Sequence, residues 1–232
     1  MILVSGNGKL AKELKKLSTD SLPVNILSKR QMDITDEYMV SDVIKDFMMK
    51  HNYPKYFIHT AALTKPMDVN ERNPIMSLDT NIVGTANVAK ICSKYGIKFI
   101  YISTDFVYGD SELVDEESEV KPSNNYGWSK LGGECVAKLV KDSLILRCSL
   151  CDIPFRHKFA FDDVYRNSIT HKDVANIILK VKDETGIINV GSEYKSVYDF
   201  VSHYQKIKKS SGIDIAPSLQ LSIKKLNGLL SE

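Results

Sequence analysis

A parallel, doubly wound α/β sheet is the fold this 232-residue sequence predicts, and three observations carry it. Short β-prone runs alternate with stretches of helical periodicity along most of the chain. The first such run, Met1 to Ser5, leads directly into Gly6-Asn7-Gly8-Lys9-Leu10-Ala11 and then a helical pattern at Leu10, Leu14 and Leu17, which reads as strand, glycine turn and helix. An apolar run closing on Ser103-Thr104-Asp105 precedes, by about twenty residues, a Tyr126 and a Lys130 four positions apart.

The elements follow in order. Pro23 to Leu27 predicts a second strand, and Thr35 to Lys50 a helix with Val40, Val43, Ile44 and Phe47 on one face. Lys55 to His59 predicts a third strand ending in Thr60-Ala61-Ala62. A long helical region carrying Ile82, Val83, Ala86, Val88, Ala89 and Ile91 stops at Gly96. Ile97 to Ile102 reads as a strand, Leu131 to Val140 as the continuation of the tyrosine helix, Ser143 to Arg147 as another strand and His171 to Val181 as another helix. The acidic stretch Asp110 to Glu119 reads as a solvated loop bordering a cleft.

Composition sets the bounds. A chain of this length buries a substantial core and suits one α/β unit with a small appendage. A net charge of +2 and a pI near 8.2 provide no basic field, so nucleic acid is not an expected partner. No apolar run is long enough to span a bilayer, and the first residues read as a strand without the charged flank of a signal peptide. The expected compartment is the cytoplasm, with no membrane partner. Cys92 and Cys135 fall in helical patterns, and Cys148 and Cys151 form a Cys-x-x-Cys without a second ligand pair, so structural thiols are expected and no metal.

Two segments carry chemistry. In Gly6-Asn7-Gly8-Lys9-Leu10-Ala11, Gly6 allows the tight turn, Gly8 admits a pyrophosphate close to the backbone, Ala11 lets helix pack on strand, and the helix N-terminus faces the anion. On a helix, Tyr126 and Lys130 share a face. The ammonium is then expected to favour the phenolate and draw the tyrosine pKa toward the working pH, as a general acid/base requires. Thr104, at a strand end, is placed to hydrogen-bond the same substrate oxygen. Ser28-Lys29-Arg30, after the second strand, supplies two cations where a 2′-phosphate would lie.

These motifs stand in the order met in extended short-chain dehydrogenases/reductases: the glycine turn, Thr60-Ala61-Ala62, Asn81 in Thr80-Asn81-Ile82-Val83-Gly84-Thr85, Ser103 to Tyr108, and Tyr126-Gly127-Trp128-Ser129-Lys130. Within that superfamily the chain most resembles the dTDP-4-dehydrorhamnose reductase branch, through Ser103 to Tyr108, through Tyr126 to Glu134 and through the tail Leu219 to Leu226. The resemblance implies a Rossmann-type sheet at 1–150 and a small substrate-binding portion at 151–232, interleaved with it. It implies reduction of a nucleotide-linked 4-keto-6-deoxy sugar by NADP(H), favoured by the cations at Ser28 to Arg30, or NAD(H). Tyr126 would be the acid, Lys130 its electrostatic partner and ribose ligand, Thr104 the third member, and Asn81 the group ordering helix and water beside them.

Gly6, Asn7, Gly8, Lys9 and Leu10 would surround the pyrophosphate, Asp33 and Ile34 meet the adenine, and Ala61, Ala62 and Leu63 wall the ribose. Arg156 or Arg166 is the expected ligand of the substrate diphosphate, because a planar guanidinium matches phosphate oxygens. A homodimer is left open. Two departures from the branch stand out: one residue is missing from its usual GxxGxxG loop, and the chain after Arg147 is short. Two rival readings remain: a nucleotide-sugar epimerase or dehydratase on the same scaffold, and a non-catalytic nucleotide-binding subunit like the methionine adenosyltransferase β-subunit.

Overall fold

The computed structural model describes residues 1–51, 53–64, 67–109, 113–211 and 218–231. Six parallel strands form its central sheet: β1 (Ile2–Ser5), β2 (Val24–Leu27), β3 (Tyr56–His59), β4 (Lys98–Thr104), β5 (Leu144–Cys148) and β6 (Gly186–Val190). Their order is β6-β5-β4-β3-β1-β2, with Ile2 opposite both Val24 and Tyr56 and Thr104 opposite Cys148. From β1 the chain steps outward to β2 and then returns across β1 to β3. The crossovers therefore reverse between β1 and β3, which opens a crevice above the C-terminal ends of these two strands.

The strands are apolar on both faces because both faces are covered. Ile2, Val4, Ile58, Ile100, Leu144, Leu146 and Val190 point into one layer, with helices α1 (Lys9–Lys16), α5 (His171–Val181) and α6 (Lys224–Ser231). Alternate residues Leu3, Phe57, Phe99, Tyr101 and Ile145 point into the other, against α2 (Glu37–Lys50), α3 (Gly84–Tyr95) and α4 (Asn125–Lys138). Local chemistry sets the helix ends. Asp36 caps α2 through Met39 N, Asn124 caps α4 through Gly127 N, Thr170 caps α5 through Asp173 N, and Gly96, at φ +64°, ends α3.

Three elements differ from the sequence expectation. The long helix before Gly96 is broken: short helical turns over Met67–Ser77 lead into a π-helical turn, Leu78–Val83, before α3 begins. That widened turn carries Asn81 inward. The edge strand β6 was not expected, because Gly-Ile-Ile-Asn-Val is too short to show a period. The acidic loop starts outside the described residues, and Leu113–Val114, just after, pairs in parallel with Gln220–Leu221.

From residue 150 on, the chain also makes small pairings outside the sheet: Leu150–Cys151 with Ile169–Thr170, Tyr165–Arg166 with Lys195–Ser196, and Phe159–Phe161 with Lys208–Ser210. Side chains from elsewhere bond some of the outward backbone groups of both outer strands. On β2, Lys15 Nζ donates to Val24 O (2.6 Å) and Val24 N donates to Ser18 Oγ (2.9 Å). On β6, Lys225 Nζ donates to Ile187 O (2.7 Å) and Asn189 N to Glu116 Oε1 (2.8 Å).

Candidate active site

The crevice is one continuous cleft in which Gly8 and Thr64 line every part. On the side of β2, a space of about 340 Å³ is walled by Gly6, Asn7, Lys29, Asp33, Ile34, Ala61 and Ala62. On the side of β4 and β5, a space of about 470 Å³ is walled by Thr104, Tyr126, Cys148, Asp152, Arg156 and His171. Lys130 and Tyr126 face the narrow part between them.

Gly6 sits at φ +87° with its N–H donated to Leu27 O (2.8 Å), and a Cβ there would press on Ala61 at 3.1 Å. The turn thus closes against the end of β3, which only glycine permits. No side chain caps α1, so its first amide groups face the cleft without a side-chain partner. Leu10, expected beside the pyrophosphate, lines the narrow part of the cleft with Gly8 and Lys9 and packs most of its side chain into the core at 5 % exposure. Ser28 and Arg30 do not line the cleft, whereas Lys29 does, 3.4 Å from Asp33. Asp33 is in turn fixed by the amide and hydroxyl of Thr35 at 3.0 and 2.8 Å.

Asn81 joins the two halves. Its side chain accepts from Leu63 N (2.7 Å) and donates to Leu63 O (3.2 Å) and Ser129 Oγ (2.8 Å), and Ser129 Oγ donates to Tyr126 O (2.8 Å). Beneath it lies His59, buried between Ser5 Oγ (2.8 Å from Nδ1) and Thr85 Oγ1 (3.1 Å from Nε2). Because Thr85 spends its proton on Asn81 O (2.7 Å), it accepts from His59 Nε2–H, and Nδ1 then accepts from Ser5. Burial pushes the His59 pKa down to about 3, with the Lys130 charge adding to it, so the ring is neutral.

Thr104 ends β4, donates to Asp105 Oδ1 (3.1 Å) and accepts from Phe106 N (3.3 Å). Tyr126 stands edge-on to Phe106, with ring centres 5.9 Å apart. The Lys130 ammonium lies 4.1 Å over the Tyr101 ring, and a Cβ at Gly133, one turn on, would collide with the Tyr101 hydroxyl. Lys130 is 3 % exposed, and among the described residues Nζ has no hydrogen-bond acceptor. Burial lowers its pKa to about 7, against the opposing pull of Glu134 and Cys148.

The expected direction of the Tyr126 shift is reversed. Burial and the Asp105 carboxylate hold the phenol well above its ordinary value, and the hydrogen bond with Thr104 only partly offsets them. Desolvation outweighs any help from the neighbouring cation.

Four features rest on contacts between residues far apart in the chain, which no local motif displays. Asp105 accepts from Ser149 Oγ (2.8 Å) and pairs with Arg166 Nη1 (3.4 Å), which seats Arg166 beside Thr104. Asp152 draws together Lys9 (3.1 Å), Arg156 (3.3 Å) and His171 (3.8 Å). Behind Thr104, Glu134 receives Ser103 Oγ (2.6 Å) and two nitrogens of Arg147, Nε at 3.0 Å and Nη2 at 2.8 Å. Arg147 Nη1 donates onward to Tyr108 (2.9 Å), whose hydroxyl donates to Asn189 (2.7 Å).

A family model described as the RmlD substrate binding domain matches residues 1–152. The chain belongs to this family. It is an RmlD-type member of the extended short-chain dehydrogenases/reductases, similar in sequence to methionine adenosyltransferase 2 subunit beta of Xenopus laevis, at 36 % identity over 104 residues, 44 % of this chain and 29 % of that protein. It is also similar to the dTDP-4-dehydrorhamnose reductase of Mycolicibacterium smegmatis, at 35 % over 125 residues, 52 % of this chain and 36 % of that one. The matched stretch thus spans about a third of the length of these curated relatives.

Solved structures share the RmlD-type fold over nearly the whole chain. The dTDP-4-dehydrorhamnose reductase of Bacillus anthracis, in complex with NADP, superposes with a TM-score of 0.83 at 24 % identity, covering 97 % of this chain and 90 % of that one. A hypothetical dTDP-4-dehydrorhamnose reductase from Sulfolobus tokodaii gives 0.82 at 25 % identity, covering 100 % and 95 %. Among the described residues no helix is long and apolar enough to cross a membrane, and no group of three or more His, Cys, Asp or Glu could hold a metal ion.

Proposed function

We propose that this chain reduces a nucleotide-linked 4-keto-6-deoxy sugar with a nicotinamide dinucleotide, using Thr104, Tyr126 and Lys130. The observation that carries the proposal is Lys130, a largely buried residue whose ammonium faces the cleft between the glycine turn and Tyr126 with no acceptor among the described residues. An ammonium that opens onto the cleft without an acceptor is well placed to bond a pair of ribose hydroxyls. The cradle fits a dinucleotide along its length: Gly6 to Lys9 for the pyrophosphate, Asp33, Ile34 and Lys29 for the adenosine end, Ala61 and Ala62 for its ribose. When bound, the reduced nicotinamide supplies the hydride that the keto carbon receives.

The chain's own residues do the rest. Tyr126 donates its proton to the keto oxygen, Thr104 hydrogen-bonds that oxygen, and Lys130 steadies the phenolate left behind. Residues 1–150 serve the dinucleotide, and 151–232 supply the substrate side, where Arg166 stands next to Asp105 and Thr104. Incubation of the protein and a reduced cofactor with a panel of nucleotide 4-keto sugars tests this. Oxidation of the cofactor with formation of the 4-hydroxy sugar is expected; absence of turnover across the panel would sink the proposal.

Two further outcomes follow from the same reading. Lys130 is charged below about pH 7 and neutral above it, so dinucleotide affinity is expected to fall as pH rises through that region. The same titration in Lys130→Met should be flat and weak, and a wild-type Kd constant from about pH 6 to about pH 9 would refute it. NADPH is expected to bind at least as tightly as NADH, through Lys29. Lys29→Ala should weaken NADPH by up to about fivefold and leave NADH unchanged, whereas a wild type that clearly prefers NADH would reverse the assignment.

The likeness to methionine adenosyltransferase 2 subunit beta favours a second reading, a nucleotide-binding regulatory subunit. A chain that binds the dinucleotide but reduces no 4-keto sugar would point there.

A further inference from the structure

Arg156 lines the same space as Thr104 and Tyr126, but its guanidinium is tied toward the glycine turn. Its guanidinium meets Asp152 Oδ2 at 3.3 Å, and the other oxygen of that carboxylate meets Lys9 Nζ at 3.1 Å. Lys9 is the first residue of α1 and follows Gly8 of the glycine turn. One buried carboxylate, 8 % exposed, thus gathers a cation from the loop after β5 and a cation from the mouth of the glycine turn. Arg166, by contrast, is seated with Asp105 beside Thr104.

The charge balance at this point is positive. A lysine at the start of a helix opposes the helix dipole, and the first turn of α1 holds no acidic residue to compensate it. Among the described residues, Lys9 and Arg156 together outweigh the single charge of Asp152, and the α1 N-terminus adds roughly half a positive charge. Such an excess, in a cleft that also exposes the unbonded Lys130 ammonium, calls for an anion with more than one oxygen.

We propose that Arg156 and Lys9, held in place by Asp152, clamp the diphosphate of the dinucleotide from above the glycine turn, so that the loop after β5 covers the cofactor rather than the substrate diphosphate. This assignment rests on the reductase reading and adds a ligand from outside the glycine turn. Asp152 is the positioning residue: it holds two like charges close together before the anion arrives, which lowers the cost of ordering two long side chains on binding. A nucleotide-sugar diphosphate has the same chemistry, and the position of Lys9 next to Gly8 decides for the dinucleotide.

Arg156 has a side chain 61 % exposed, so its replacement leaves the fold intact. The test measures Kd for NADPH, and Kd for dTDP on the NADPH-saturated protein, in wild type, Arg156→Ala, Arg156→Lys and Lys9→Ala at two salt concentrations. For Arg156→Ala and Lys9→Ala, NADPH should bind about tenfold more weakly, the size of one charge-assisted hydrogen bond, and with a shallower salt dependence. Affinity for dTDP should be unchanged, and Arg156→Lys should recover part of the loss. NADPH affinity within about twofold of wild type in Arg156→Ala overturns the clamp. So does a loss confined to dTDP, which would return Arg156 to the substrate. A wild type that binds neither NADPH nor NADH overturns the reductase reading itself and the clamp with it.

Discussion

Tyr126→Phe is expected to lower kcat by about 10²–10⁴-fold, the range lost when a positioned general acid is removed. The ring stays edge-on to Phe106, so shape is kept and only the transferable proton is lost. The upward shift of the phenol strengthens the expectation, because burial and Asp105 keep Tyr126 protonated at neutral pH and ready to donate. Ser129, held by Asn81, reaches the Tyr126 carbonyl and not its hydroxyl, and so continues to hold the helix. Dinucleotide Kd should therefore remain within about twofold of wild type. Steady-state rates with a nucleotide 4-keto sugar, beside a fluorescence titration of the reduced cofactor, separate the two effects. A variant that turns over like the wild type removes Tyr126 from the mechanism.

Glu134→Ala is expected to be strongly destabilising. Arg147, 2 % exposed, directs two nitrogens at Glu134, and removing the carboxylate leaves a buried guanidinium uncompensated. Breaking such a pair from one side costs about 3–5 kcal/mol. In a chain of this size that corresponds to a fall in Tm of roughly 10 °C. Ser103 Oγ loses its acceptor as well, and Ser103 precedes Thr104, so catalysis should suffer in the folded fraction. Replacing both partners with Leu and Met of similar volume should restore much of the stability, since the penalty arises from the unpaired charge. A urea midpoint equivalent to less than about 1 kcal/mol of loss in Glu134→Ala would contradict the account.

Much of the architecture was legible in local pattern. Strands β1 to β5 are apolar runs bounded by turns, and the glycine turn with its flanking strand and helix is a contiguous signal. The same holds for Tyr126 and Lys130, whose spacing places them on one helix face whatever surrounds them. What the spacing could not supply is burial. Lys130 lies over Tyr101, a residue of β4, and the field at Tyr126 comes from Asp105, so the sign of the tyrosine shift depends on partners from another strand. Distance along the chain hid the Asp152 cluster for the same reason: Lys9 and Asp152 meet only once β1 and β5 share a sheet. The π-helical turn escaped because one extra residue per turn hardly alters an apolar period, and β6 because five residues are too few to display one.

The side chains bonded to the outer strands have a consequence for how this molecule can meet others. A parallel sheet with open margins invites a further strand, its own or a foreign one, to add at the edge. Here the invitation is withdrawn at both ends. Lys15 and Ser18 occupy the outward carbonyl and amide of Val24, and Lys225 and Glu116 those of Ile187 and Asn189. A strand pairing at these residues would have to strip these bonds. Edge pairing at Val24, Ile187 and Asn189 is thereby opposed in the folded chain.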